Sequence, residues 1–104
     1  MRNGDVTSFG QMSATNDAVR LDIASFLYVA IQLTGTWTGT VTFEVSMDGT
    51  TWVAFNMTPS NSGTDASTST ANGGFSKTCG GYDLIRARFS TATSGTVNVF
   101  ISAT

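Results

Sequence analysis

The chain contains no histidine, and that absence removes the commonest general base and the commonest metal ligand at neutral pH. Ser-His-Asp and Cys-His catalysis are excluded with it. Cysteine occurs once, as Cys79, so an intrachain disulfide and a thiolate metal cluster are excluded as well. A disulfide-stapled secreted scaffold is therefore not expected. No apolar run approaches the ~20 residues of a membrane-spanning helix, so no membrane partner is expected. The opening stretch, MRNGDVTSFGQMS, lacks the apolar segment of a signal peptide. The expectation is a mature chain that starts near Met1 and folds where it is made.

Charge is scarce too. Asp, Glu, Lys and Arg make up 12% of the 104 residues, about half the usual quarter. Arg2, Arg20, Lys77, Arg86 and Arg88 stand against seven acids, for a formal net charge of −2. Nucleic-acid binding needs clustered basic residues that displace counterions from phosphates, and the sequence offers no such cluster. Ser and Thr take the place of charge. A neutral, hydroxyl-rich surface resists association less than a charged one, which suits a protein built into an assembly. Thr also favours strands in its own right.

The remaining routes to chemistry are thin. Paired carboxylates could hydrolyse glycosides, but the acids fall in turns and on outward strand positions, with no local pairing beyond Asp17 and Asp22. Asp48, in Met47-Asp48-Gly49-Thr50, lacks the alternating oxygen ligands of a dedicated calcium loop, and a turn residue bonding its own backbone is the expected role. Gly73-Gly74 and Gly80-Gly81 lack the Lys and the following helix of a phosphate loop. The expectation is a protein that is not an enzyme and has no cofactor and no metal.

What the sequence has in abundance is alternation. Val19, Leu21 and Ile23 share one face of residues 18–24; Val29, Ile31 and Leu33 share one face of 27–34; Val41, Phe43 and Val45 do so in 40–46. A period of two marks half-buried strands, and the β-branched content argues against a helix through 18–33. Asp48-Gly49 predicts a hairpin within Gly35–Phe55, with residues 51–57 as its second strand and Pro59 as its end. Residues 58–74 are low in complexity. They divide into a loop at 58–65, a weak polar strand at 66–71 and an Asn72-Gly73 hairpin turn that returns through 74–79. Ile85, Ala87 and Phe89 point inward from the strand after Tyr82. Ser94-Gly95 predicts another turn. Val97, Val99 and Ile101 point inward from 96–103. Residues 1–17 read as an N-terminal arm or an edge strand through Val6 and Phe9, and residues 18–104 as one domain. The fold class is all-β: an antiparallel β-sandwich of about eight strands, jelly-roll-like, with immunoglobulin-like connections as the alternative.

Candidate contact residues follow from this placement. Arg86 and Arg88 share an outward face with Leu84. They either pair across strands with an outward acid such as Glu44 or Asp22, or meet a partner, since Arg is enriched at interfaces. Phe100 points outward near the end of the last strand. Trp37, beside two Thr, is a candidate for an exposed contact and, with Tyr82, for stacking on a sugar.

The segments WTGTVTFEVSMDGTTWVAF and GGYDLIRARFSTATSGTVNVFISAT resemble a pattern in small structural proteins of tailed bacteriophages: capsid decoration (cement) proteins and β-sandwich proteins of tail, collar and fibre. The resemblance spans roughly residues 28–104. It rests on Trp37-Thr38-Gly39, on the hairpin Ser46-Met47-Asp48-Gly49-Thr50-Thr51-Trp52, on Ile85-Arg86-Ala87-Arg88 and on Thr93-Ser94-Gly95-Thr96-Val97. These are hairpin and core features. The resemblance implies a virion protein on the capsid surface, assembled in the host cytoplasm, that bridges major capsid proteins as a homo-oligomer, a trimer at three-fold positions. Its contacts would come from residues 1–17, through Val6 and Phe9, and from Trp37, Leu84, Arg86, Arg88 and Phe100. The hairpin also resembles one in discoidin-like carbohydrate-binding domains, which implies a glycan as the alternative partner and host attachment as the alternative role. A minor tail or neck component is a further reading.

Overall fold

The structure, a computed structural model, describes residues 6–61 and 63–104. The first five residues of the expected arm lie outside the described residues. Eight strands follow in order: β1 (Val6–Met12), β2 (Ala18–Asp22), β3 (Tyr28–Ser46), β4 (Val53–Ala54), β5 (Thr58–Pro59), β6 (Thr68–Ser69), β7 (Gly73–Thr78) and β8 (Leu84–Ala103). All pairings are antiparallel, in one sheet ordered β1-β8-β3-β7-β5, with β2 also on β8 and β4 and β6 also on β3. The chain is all-β, as its periodicity predicts.

The backbone of the fold is the pair β3–β8, which runs in register from Val29↔Ala103 to Ser46↔Leu84. This differs from expectation. Residues 27–34 and 40–46 are not two separate strands: Tyr28–Ser46 is one 19-residue strand that includes Trp37. Ser94-Gly95 is likewise not a turn but a point inside the 20-residue β8. The reason is conformational. Gly39 and Gly95 adopt φ of +144° and +83°, values that glycine reaches without steric cost. A Cβ at Gly39 would overlap the Thr91 carbonyl oxygen, and one at Gly95 the Thr36 carbonyl oxygen. The register slips between Thr38 and Gly39 and between Thr40 and Val41. Bulges of this kind bend and twist a strand without ending it.

The bend folds the sheet over on itself. Phe75 on β7 pairs with Ile31, twelve positions before Phe43 on β3, which would separate them by roughly 40 Å along a straight strand. Their rings instead meet at 4.8 Å between centroids. The first layer is β1, the second half of β8, the first half of β3, β7 and β5. The second layer is β2, the first half of β8, the second half of β3, β4 and β6. Between them lies one core that includes Met12, Val19, Ile23, Ile31, Leu33, Phe43, Met57, Ile85, Phe89 and Ile101. Cys79 is also buried there, and burial pushes its thiol up.

Two further expectations are corrected. The Asn72-Gly73 hairpin does not form: β6 pairs with Val41 and Thr42 of β3, whereas β7 pairs with Tyr28–Leu33 of the same strand. The chain crosses from one layer to the other there, so β6 and β7 flank the central strand on different layers. The Gly35–Phe55 hairpin forms only through Glu44↔Ala54 and Val45↔Val53. Its second strand is only Val53–Ala54, and Pro59 does not merely end a strand; it sits in β5 opposite Phe75.

Candidate interaction surface

The two layers present outer faces of different character. On the second layer, Glu44 of β3 stands opposite Arg86 of β8. Arg86 Nε donates to Glu44 Oε1 at 2.8 Å, and Arg88 donates through Nε at 3.0 Å and Nη2 at 3.2 Å. Burial alone would raise the Glu44 carboxyl, but the hydrogen bonds from Arg88 and Arg86 outweigh it and hold the group below its usual value. The Arg88 guanidinium also reaches Asn16 Oδ1 at 2.8 Å. The Arg86 guanidinium lies 4.2 Å from the Trp52 ring centroid, a cation–π contact. Arg20 of β2 faces Arg86 from the other side, and the like charges oppose each other there. The cross-strand acid is thus Glu44. Asp22 instead accepts from the Ala24 amide.

On the first layer, register sets the outer residues in rows. One row reads Phe9, Phe100, Gln32 and Gly74 across β1, β8, β3 and β7; the next reads Thr7, Ser102, Ala30 and Ser76. None of the eight is charged. The Phe9 and Phe100 rings pack at 4.4 Å between centroids, yet each stays about half exposed, at 55% and 51%. Beside this aromatic ridge runs a shallow trough of about 310 Å³, floored by Ala30, Gly74, Ser76 and Ser102. Tyr28 and Leu27 extend the apolar surface at one end, both exposed.

The other expected contact residues lie elsewhere. Val6 is half-buried against the core. Trp37 is half-buried at the bend, edge-on to Phe89 at 5.7 Å, with its indole Nε1 donating to Asn72 Oδ1 at 2.6 Å. Tyr82 packs on Phe55 at 6.0 Å, beyond the Ser46–Leu84 end of the second layer, so the two rings form no joint platform. Leu84 is half-buried, beside Gly49.

Among the described residues no three His, Cys, Asp or Glu side chains group as metal ligands. Asp48 is engaged by its own loop: Oδ1 accepts from the Thr51 and Thr50 amides at 2.8 and 2.9 Å and from Ser46 Oγ at 3.1 Å. These bonds, those of the two amides foremost, hold its carboxyl below the usual range.

Sequence reasoning placed Phe100 outward and named Phe9 as a contact of the arm, but missed that the two rings touch, and missed the trough. The only local signal was a set of small outward residues, Ala30, Ser76 and Ser102, on otherwise ordinary strands.

No family model matches the chain, and no curated protein is similar to it in sequence. Solved structures are similar in fold. The SPBc2 prophage-derived protein YomS superposes with a TM-score of 0.80 at 12% identity, over 99% of this chain and 96% of that one. The PBSX exported protein XepA superposes with a TM-score of 0.78 at 15% identity, over 99% of this chain but 39% of that one. The fold therefore makes up nearly all of YomS and about two-fifths of XepA.

Proposed function

We propose that the chain is a structural protein of a bacteriophage virion, and more specifically a capsid decoration protein that binds the assembled shell and bridges major capsid proteins. The observation that carries this reading is the uncharged, partly aromatic outer face of the first layer. The fold it shares with two prophage proteins supports a phage origin. Under this reading the protein is not an enzyme, has no cofactor and acts by mass action. A protein that binds only the assembled shell stabilises that shell. It resides on the capsid surface after assembly in the host cytoplasm. Arg86 and Arg88, held by Glu44, and the exposed Arg20 supply a cationic face on the second layer toward a capsid partner.

The test is the location and copy number of the chain in purified particles. Hundreds of copies on the head are expected. A count matching a single tail or neck ring overturns the decoration role in favour of a minor tail or neck component. Selective glycan binding by particle-free protein, with no affinity for shells, overturns the virion-structural reading in favour of host attachment.

A further inference from the structure

We infer that the uncharged face of the first layer is a self-association surface, on which two copies of this chain pack face to face about a two-fold axis that runs parallel to the strands. The occupant follows from the order of the strands. The ridge, Phe9 and Phe100, stands on β1 and β8; the trough, with Gly74 and Ala30, lies on β7 and β3. Since the order is β1-β8-β3-β7, the ridge lies on one side of the β8–β3 seam and most of the trough floor, Ala30, Gly74 and Ser76, on the other, with Ser102 of β8 at the seam. A two-fold axis along that seam carries each ridge over the partner's trough. Phe100 then meets the partner's β3, and Phe9 meets β7 at Gly74, where only the small Ser60 side chain stands beside the backbone. A two-fold axis across the strands would instead set ridge on ridge. The surface is self-complementary in one orientation, which is what an isologous dimer requires.

Charge and area agree with this partner. The two facing rows hold no ionised side chain, so pairing them desolvates no charge and sets no like charges together. The second layer, with Arg20, Arg86 and Arg88 against Glu44, would oppose a copy of itself. Four strands at ~4.8 Å spacing and about six residues at ~3.3 Å give roughly 400 Å² in plan per copy. Two such faces come to roughly 800 Å² in plan, below the ~1,200 Å² of stable specific interfaces and in the range of weak, transient ones. Aligned sheets pack about 10 Å apart, a separation that ridge-in-trough contact allows. The dimer is accordingly weak and concentration-dependent. The inference stands whether or not the chain belongs to a shell, because it concerns the isolated protein.

Sedimentation equilibrium of the full chain, from about 1 to 300 µM, tests it. The apparent mass is expected to rise toward twice the monomer value. Phe9→Asp, on the ridge, and Ser76→Lys, in the trough, are each expected to stay monomeric across the range, with unchanged far-ultraviolet circular dichroism. Arg20→Glu, on the other layer, is expected to leave the dimer intact. Mixing Phe9→Asp with Ser76→Lys is expected to restore a mixed dimer, because the two-fold sets the new carboxylate beside the new ammonium. A wild-type chain that is monomeric throughout overturns the inference. So does a trimer, or a dimer that neither Phe9→Asp nor Ser76→Lys weakens; a mixture that stays monomeric overturns the ridge-in-trough orientation.

Discussion

Glu44 and Arg86 stand directly opposite each other on β3 and β8, joined by a 2.8 Å hydrogen bond, and the same carboxylate oxygen accepts from Arg88 at 3.0 Å. One buried acid thus holds two arginines flat against the central strand pair. This arrangement and the bend beside it set the most direct tests of the structure.

Glu44→Gln removes the charge and keeps the shape. The loss is expected to be about 1–3 kcal/mol at neutral pH, because two guanidinium groups lose a charged acceptor. The Glu44 carboxyl sits below its usual value in the folded chain, so its contribution is fully present above the ordinary carboxyl value of about 4.3 and is lost as pH falls through the lowered one. Urea melts of wild type and Glu44→Gln should therefore converge as pH drops below about 4.3. A gap that stays constant down to the acid limit rules out this role for Glu44.

Gly95 and Gly81 share a positive φ, +83° and +99°, but not their surroundings. A Cβ at Gly95 would run into the Thr36 carbonyl oxygen, whereas one at Gly81 meets nothing within 4 Å. Gly81→Ala is expected to cost about 1–2 kcal/mol, the intrinsic strain of a left-handed residue. Gly95→Ala is expected to cost that strain and several kcal/mol more, since the backbone of β3 must move aside. Equal denaturation midpoints for the two variants would show that the bend does not depend on close strand approach.

Asn72 joins the crossing segment to the bend: its Nδ2 donates to the Gly35 carbonyl at 2.8 Å and its Oδ1 accepts from Trp37 Nε1. Asn72→Ala is expected to cost about 1–2 kcal/mol. Trp37 emission should shift to the red as water reaches the ring, and amide exchange should quicken in β6 and β7 ahead of β1. Unchanged emission would mean that Asn72 does not fix the indole.

Much of the core was legible. Val29, Ile31, Leu33, Val41, Phe43, Val45, Ile85, Ala87, Phe89, Val97, Val99 and Ile101 all point inward, because alternation is a local property and a strand cannot bury both parities on a one-sided layer. What misled was glycine. Gly39 and Gly95 carry the signature of turns, yet here that conformational freedom bends strands that continue. Pairing was also hidden. Asn72-Gly73 has the chemistry of a hairpin turn, but β6 and β7 each gain more by docking on opposite halves of β3 than on each other. Of the candidate surface, Phe9 was named only as a contact of the arm, whereas the outward direction of Phe100 was readable. Their contact was not, because it depends on β1 pairing with the far end of the chain.

The shared central strands have a consequence for how the molecule forms. Residue 29 finds its partner at 103, and residue 46 finds its partner at 84, so neither layer exists until a long stretch of intervening chain has been looped out. Such closure is entropically costly and comes before the contacts that reward it, which places folding in the slow, millisecond-to-second regime of non-local β proteins. Because β3 and β8 each run through both layers, loss of their pairing dissolves both at once. Neither layer can persist without the other, and unfolding is expected to be a single cooperative event.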